Sequence, residues 1–404
     1  MPAVTVPTAS RRYGDFYVPR WEILTSGAAL EPGILRDVKQ VTYNDSIKEI
    51  DSFDLTVNNW DEVARDFKYV GAERSALGGT SLQRLFNPCA GEFELRLGYG
   101  GELSTIMRGS TTSLEPQFPN GGAPTLTVRA LNVLHKLRTK QYRDHWTDKK
   151  ISDVAEDIGR RNDPGGKKRF PLPVRTDPTA KRAEPKLDYV AQDNQYDIDF
   201  LLLEARKIGY VVYIDTEPAG RGRTREVLRF GPSNARHPGV PDVTYELKWG
   251  ISLIEFTPKL STANQVKSVE VRSWDRQTNR AIREKVDLRS PGIDVNDDLL
   301  PLLEAPGCAA REEVVVNEPH YTRQQAKRRA QAILSERLKQ LVEANGTTVG
   351  LPDLRSGQRV RIRGFGTRFS GTYFVIKTTH TLNDSGYVTK FTARRESPER
   401  EGTA

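Results

Sequence analysis

The residues of this chain best suited to chemistry are its histidines and one pair of close aspartates, and their spacing argues against a catalytic centre. His135, His145, His237, His320 and His380 stand far apart. None has the three- or four-residue separation by which a helix offers two imidazoles to one zinc ion. Asp197 and Asp199 have the spacing of a metal pair. They open an apolar-rich segment that reads as a helix, where carboxylates offset the positive end of the macrodipole and cap free N–H groups. That role is preferred to metal binding. The stretch Asn44, Asp45, Ser46 and the acidic run 294–298 read as turns, because neither carries the glycine and terminal glutamate of a calcium loop. The sequence contains no G-x-S-x-G elbow and no G-x-x-x-x-G-K-[ST] phosphate loop. No catalytic residue, metal or cofactor is therefore expected.

Charge and length bound the remaining classes. With 404 residues the chain can form about two to four domains, each with its own core. Its 61 basic against 53 acidic residues leave +8, a surplus too small to argue for nucleic acid by itself. The charge is clustered, however. Between Arg160 and Lys186 lie Arg161, Lys167, Lys168, Arg169, Arg175, Lys181 and Arg182, against only Asp163, Asp177 and Glu184. The plain reading is a solvated loop. The sharper one is a docking arm for an acidic partner, with Lys167, Lys168 and Arg169 as contacts. A second basic stretch, 218–225, reads as a hairpin tip. No run of about 18 apolar residues exists to cross a membrane. The N-terminus lacks a basic stretch followed by an apolar one, so no secretory signal is expected. Cys89 and Cys308 have no C-x-x-C spacing and read as buried free thiols of a reducing compartment.

The elements that position these residues follow from periodicity. Segments 53–57, 93–97 and 126–129 alternate apolar and polar side chains as half-buried antiparallel strands do, with turns at 98–101 and 120–122. Ile151, Val154, Ala155 and Ile158 make a helical stripe, with Thr147 or Asp148 as the cap. Segment 162–188 holds Pro164, Pro171, Pro173, Pro178 and Pro185 and reads as a long exposed loop. A helix from about 196 to 207 is apolar on nearly every side and ends at Gly209, feeding a strand at 210–214. Strands resume at 227–230, 251–256 and 266–274, and 287–320 reads as irregular. The longest helix runs from about 323 to 343, with Thr322 and Gln325 as a capping box. In 358–364 period-two geometry buries Val360 and Ile362 and projects Arg359, Arg361 and Arg363 from the other face, as solvated or partner-contacting side chains.

Several of these segments carry recognisable motifs in a fixed order. They are Leu97 to Gly101 with Gly98 and Tyr99; Asp197, Asp199 and Phe200 with Ala205 and Gly209; Ser356 to Val360 with Gly357; Ser370 to Val375 with Gly371 and Tyr373; and Gly386, Tyr387 and Phe391. In order and separation they resemble the phage late control D family, the baseplate hubs of contractile tails, and the hub region of type VI secretion spikes of the VgrG type. The resemblance covers about residues 20 to 395. Arg394-Arg395-Glu396 stands where relatives often have Arg-Asn, and the 162–188 loop is longer than expected.

The resemblance implies an α+β fold, mainly β. It consists of two tube-protein-like antiparallel barrels intertwined in sequence, with helical and loop parts added. The corresponding division is 1–135 for the first barrel, 136–250 for a helical and mixed segment, 251–345 for second-barrel strands and the long helix, and 346–404 for closing strands. It also implies a homotrimer that adapts a trimeric spike to a hexameric tube and meets wedge proteins. Nucleic acid would enter only as cargo through the channel. The particle would be assembled in the cytoplasm, as a virion tail or an extracellular contractile injection particle. The chain stops at Ala404, so the spike is expected to be a separate polypeptide. Two rival readings are a nucleic-acid-binding protein using the basic stretches 160–186 and 218–236 and a tail-borne cell-wall hydrolase. Only Phe170 and Phe230 interleave those stretches, which is poor support for base stacking.

Overall fold

The computed structural model describes residues 4–5, 18–25, 27–74, 79–88, 91–100, 102–170, 172–218, 224–233, 244–276, 278–293, 295, 299–305 and 311–398. Cys89, Cys308, His237, the tip 219–223 and nearly all of the acidic run 294–298 lie outside the described residues.

The N-terminal part is built of β1 (Val4–Thr5), β2 (Pro19–Thr25), β3 (Ala28–Ala29), α1 (Pro32–Asp37), β4 (Val38–Ser46), β5 (Ser52–Asn58), β6 (Trp60–Asp61), β7 (Asp66–Phe67), α2 (Ser81–Leu85), β8 (Glu92–Tyr99), β9 (Glu102–Gln117) and β10 (Thr125–Asn132). The middle holds β11 (Gln141–Lys149), α3 (Ile151–Arg160), β12 (Val174–Thr176), α4 (Pro178–Ala183), β13 (Leu187–Tyr196), α5 (Asp197–Lys207), β14 (Val211–Pro218) and β15 (Thr224–Gly231). The remainder is β16 (Tyr245–Lys248), β17 (Leu253–Leu260), β18 (Ser268–Asp275), β19 (Arg280–Asp287), α6 (Leu300–Glu304), β20 (Glu312–Val315), α7 (Arg323–Lys339), β21 (Val342–Val349), β22 (Arg359–Arg363), α8 (Gly366–Phe369), β23 (Gly371–Asn383) and β24 (Gly386–Pro398).

The chain is mainly β with helices, as expected, but no barrel closes among the described residues. Fourteen strands form one branched, largely antiparallel sheet. The reason lies in β23, whose 13 residues extend past either strand on one of its two edges. Its start, residues 371–374, pairs with β22; its end, residues 377–383, pairs with β4; its other edge pairs with β24 throughout. Bulges after Thr372 and Val375 bend it between the two tasks. One strand thus splices N- and C-terminal halves, and their apolar faces merge into one core that contains Leu55, Val57, Leu95, Val128, Val360 and Tyr373.

The middle segment makes a separate core from residues between Leu134 and Phe230. There α3 and α5 pack with the pair β11–β13 and the sheet β12-β15-β14. The stripe Ile151, Val154, Ala155 and Ile158 is buried as its spacing predicts. The cap is Lys150, however, and its backbone N–H donates to Asp153 Oδ2 at 3.3 Å. Segment 162–188 is not the exposed loop its prolines suggested. It contributes β12, α4 and buried Phe170 and Val174, because Pro178 sits at the start of a helix, where its missing N–H costs nothing. A third sheet, β19-β18-β20, packs on α7. That helix ends at Lys339, short of the expected 343, because Val342 begins β21. Its cap is as read at Thr322, which accepts from Gln325 N at 3.2 Å; the Gln325 side chain reaches Tyr321 N instead of closing the box.

Candidate functional site

The motif residues converge on two places, and the first is the middle segment. Asp197 opens α5, but its carboxylate does not cap the helix. It accepts from Arg169 at 2.6 and 3.1 Å and from Gln192 Nε2 at 2.9 Å. The same guanidinium binds Asp144 at 2.5 Å and lies 3.5 Å from the centre of the Tyr142 ring. The Arg169 side chain is only 4% exposed, so it is a structural strut and not a docking contact. Asp199 instead faces outward to Arg138 at 2.8 Å. Phe200 stacks on Trp146 with ring centres 5.7 Å apart, and Gly209 closes the helix at positive φ.

Lys167 and Lys168 remain exposed at the tip of a tight turn, where Asp163 N donates to Lys167 O at 2.7 Å. Elsewhere in the basic cluster Arg160, Arg161, Arg175, Lys181 and Lys186 each hold a carboxylate of this same chain. Cations already neutralised internally add little attraction for an acidic partner or a phosphate backbone.

The second place is the junction of the two halves. Tyr99, ending β8, stacks on Tyr387 of β24 at 5.6 Å and donates to Gly350 O at 3.0 Å. The rings of Tyr387 and Phe391 lie close against Gly350, just past the end of β21, and Gly346 within it. A Cβ on Gly350 would sit 2.1 Å from the Tyr387 ring, and one on Gly346 would sit 2.3 Å from Phe391. Antiparallel register places Gly346 opposite Phe391, and four residues on, Gly350 N donates to Tyr387 O. The four-residue spacing of the two motif aromatics thus matches the spacing of the two glycines. Gly386 makes the turn before them, and Gly371 starts β23. Tyr373 is fully buried and its hydroxyl donates to Phe369 O at 2.7 Å. Gly357 has φ +81, and Tyr213 occupies the space a side chain would need.

Beneath these aromatics lies a polar cluster that sequence reasoning missed. Asp45, taken above as part of a turn, is a strand residue of β4 and only 2% exposed. Arg355 donates to its Oδ2 at 2.8 Å, to Ile106 O at 3.0 Å and to the Tyr43 hydroxyl. Ser356 adds its N–H at 2.8 Å and its hydroxyl at 2.5 Å. Burial pushes the Asp45 carboxyl upward, but Arg355 and the Ser356 hydrogen bonds outweigh it and leave it below the ordinary carboxylate value. Neighbouring Asp51 is held well above that value by burial and by the Asp45 charge. His380 joins the cluster from β23. Its Nε2 donates to Leu354 O at 3.0 Å and its Nδ1 accepts from Tyr387 at 2.8 Å. Burial and the nearby Arg355 charge push it down to about 4, so it is a neutral core histidine at neutral pH. The one available signal was adjacency: Arg355 and Ser356 directly precede the Gly357 motif.

The opposite face of the same strands is hydroxyl- and amide-rich. Register aligns Thr257, Asn345, Thr392 and Lys377 in one row and Asn383, Gln40, Thr56, Thr127 and Glu115 in another. Neighbours satisfy one another, as Thr379 with Asn44 at 3.0 Å and Thr392 with Asn345 at 2.8 Å. On β22 Val360 and Ile362 are buried and the three arginines face outward as expected; Arg361 and Arg363 share Glu246 at 3.8 and 3.2 Å. Among the described residues no group of three or more His, Cys, Asp or Glu could hold a metal, and no helix is long and apolar enough to cross a membrane.

This arrangement positions strands and surfaces, and the expected likeness to phage tail proteins is met in the fold. A 43 kDa tail protein of prophage MuSo2 from Shewanella oneidensis superimposes with TM-score 0.61 at 15% identity, over 93% of this chain and 98% of that one. A tail protein from Neisseria meningitidis gives 0.61 at 13%, over 94% and 97%. An Escherichia coli component of the type VI secretion system gives 0.50 at 12%, over 94% and 77%. No curated protein matches the sequence. The family model for the Alg8 N-terminal domain matches residues 17–384, most of the chain, and the protein belongs to that family.

Proposed function

We propose that this chain is the structural hub of a contractile tail or contractile injection particle, a homotrimeric ring that adapts a trimeric spike to a hexameric tube. The observation that carries the reading is the splice at β23, which gives each chain two strand-rich halves related through one continuous sheet. Two halves per chain and three chains about an axis supply six seats, the number a hexameric tube needs. Each half would complete a barrel-like unit only within the ring. Near-complete coverage of tail proteins with the same fold supports the choice of assembly. The role is non-enzymatic, and its cargo passes through the ring without being altered.

The test is light scattering of the chain co-expressed with a candidate trimeric spike protein. A 3:3 complex is expected, and a stable dimer contradicts the reading. Clearing of a peptidoglycan gel by the purified chain would establish the hydrolase instead.

A further inference from the structure

We infer that the cleft between strands β14 and β20 takes an extended, acidic segment of another polypeptide, added as a strand to the β20 edge. The inference goes beyond the ring reading and does not depend on it.

The cleft has a volume of about 650 Å3 and lies where the middle segment meets α7 and the small sheet β19-β18-β20. One wall is the start of β14, with Val211 and Val212. The other is β20, through Glu313 and Val315. β20 is the last strand of its sheet, and among the described residues its one strand partner is β18. Its outer edge is therefore a row of N–H and C=O groups that no strand covers. Val314 and, just past the strand, Val316 are 43% and 68% exposed, as on a sheet that stops one strand short. An extended peptide laid there gains main-chain hydrogen bonds, and its alternate side chains enter the cleft.

Charge decides what those side chains are. The carboxylates of the walls are already held: Glu318 by Arg329 at 2.6 Å, Glu313 by Arg337 at 3.1 Å and Glu336 by Arg394 at 3.4 Å. Lys48 and Arg206 line the same cleft, both exposed, and neither pairs with a carboxylate among the described residues. Five cations thus face three carboxylates, and an entering carboxylate meets a surplus of positive charge.

Arg394 strengthens the case, because it is only 3% exposed and yet loosely held. Its Nη1 stands 3.4 Å from both Glu336 oxygens, and its Nε, 3.7 Å from Glu396, makes no hydrogen bond. A buried guanidinium in that state has donor capacity left for a carboxylate, with which it forms shorter, charge-assisted bonds. Leu202 and Ile333, half-buried in the lining, suit aliphatic side chains between the acidic ones. Nucleic acid fits less well: the wall carboxylates repel phosphate, and no exposed aromatic ring among the lining residues offers a base a platform.

The test pans a displayed library of short random peptides against the full chain. Enriched peptides should carry aspartate or glutamate at alternate positions, with aliphatic residues between. By fluorescence anisotropy the best of them should bind the double variant Lys48→Glu, Arg206→Glu at least about tenfold more weakly than the wild type, since two attractive charges become repulsive. The same reversal at Lys140 and Lys149, which are exposed and outside the cleft lining, should leave affinity unchanged. Bound peptide should slow hydrogen exchange along residues 312–316, and acetate alone should not. A library without a binder, binders lacking acidic residues, or binding that survives the cleft reversal overturns the proposal. Binding without slowed exchange at β20, or acetate slowing it equally, also overturns it, leaving a site for small anions only.

Discussion

Arg355 is the cation that pairs with buried Asp45, and its removal takes this counter-charge away from a carboxylate in the core. Breaking such a pair from one side costs about 3–5 kcal/mol. Arg355→Ala should therefore shift the denaturant midpoint strongly. Arg361→Ala, which loses one long surface contact to Glu246, should cost about 0–1 kcal/mol. Equal midpoints for the two variants would contradict the junction as drawn. His380 adds a pH signature. Its folded pKa of about 4 lies below its ordinary value, so the unfolded chain binds more protons between the two, and stability falls as pH drops from about 6.5 to 4. The raised Asp51 acts in the opposite sense, contributing at low pH and losing that contribution as pH rises. The wild type minus His380→Gln difference in melting temperature isolates the histidine and should shrink on acidification. A pH-independent difference would contradict its burial. None of these partners was legible locally: Asp45 and Arg355 are 310 residues apart in sequence, and no periodicity encodes such a meeting.

At the scale of elements, the aromatic-over-glycine contact between β21 and β24 gives a sharp contrast. Gly350→Ala drives a methyl into the Tyr387 ring and should cost about 1–3 kcal/mol by overpacking. Gly33→Ala, in α1 with nothing within 4 Å, should be neutral or stabilise by less than about 1 kcal/mol. Chemical denaturation of both variants checks the contrast. Limited trypsin digestion tests the revised view of 162–188: within that segment cleavage should begin at the exposed Lys167–Lys168 turn and spare Arg169 and Arg175. Cleavage starting at Arg175 would restore the loop. Strands β5, β8, β10 and β22 were legible because one face is buried and period two survives. Strand β9 was not read, since Gly109, Pro116 and a serine–threonine run hide its alternation, and a bulge at its own Thr112 breaks the phase. Strand β13 was missed because its two-stranded sheet leaves most of its side chains wet.

For the whole molecule, the resemblance of ordered motifs anticipated the tail-protein fold, but no closed barrel appears among the described residues. The cause is one strand, β23, long enough to serve both halves, which joins them into a single branched sheet with open edges. Open edges are tolerable only when guarded or mated, and the guards here are proline and charge at β9 and β17. The molecule is therefore expected to be completed by its neighbours. Electron microscopy of the chain co-expressed with its spike tests this most directly. It should show rings of three chains with six near-equivalent lobes around an open centre; a dimer, or a threefold ring without the pseudo-sixfold lobes, would contradict it.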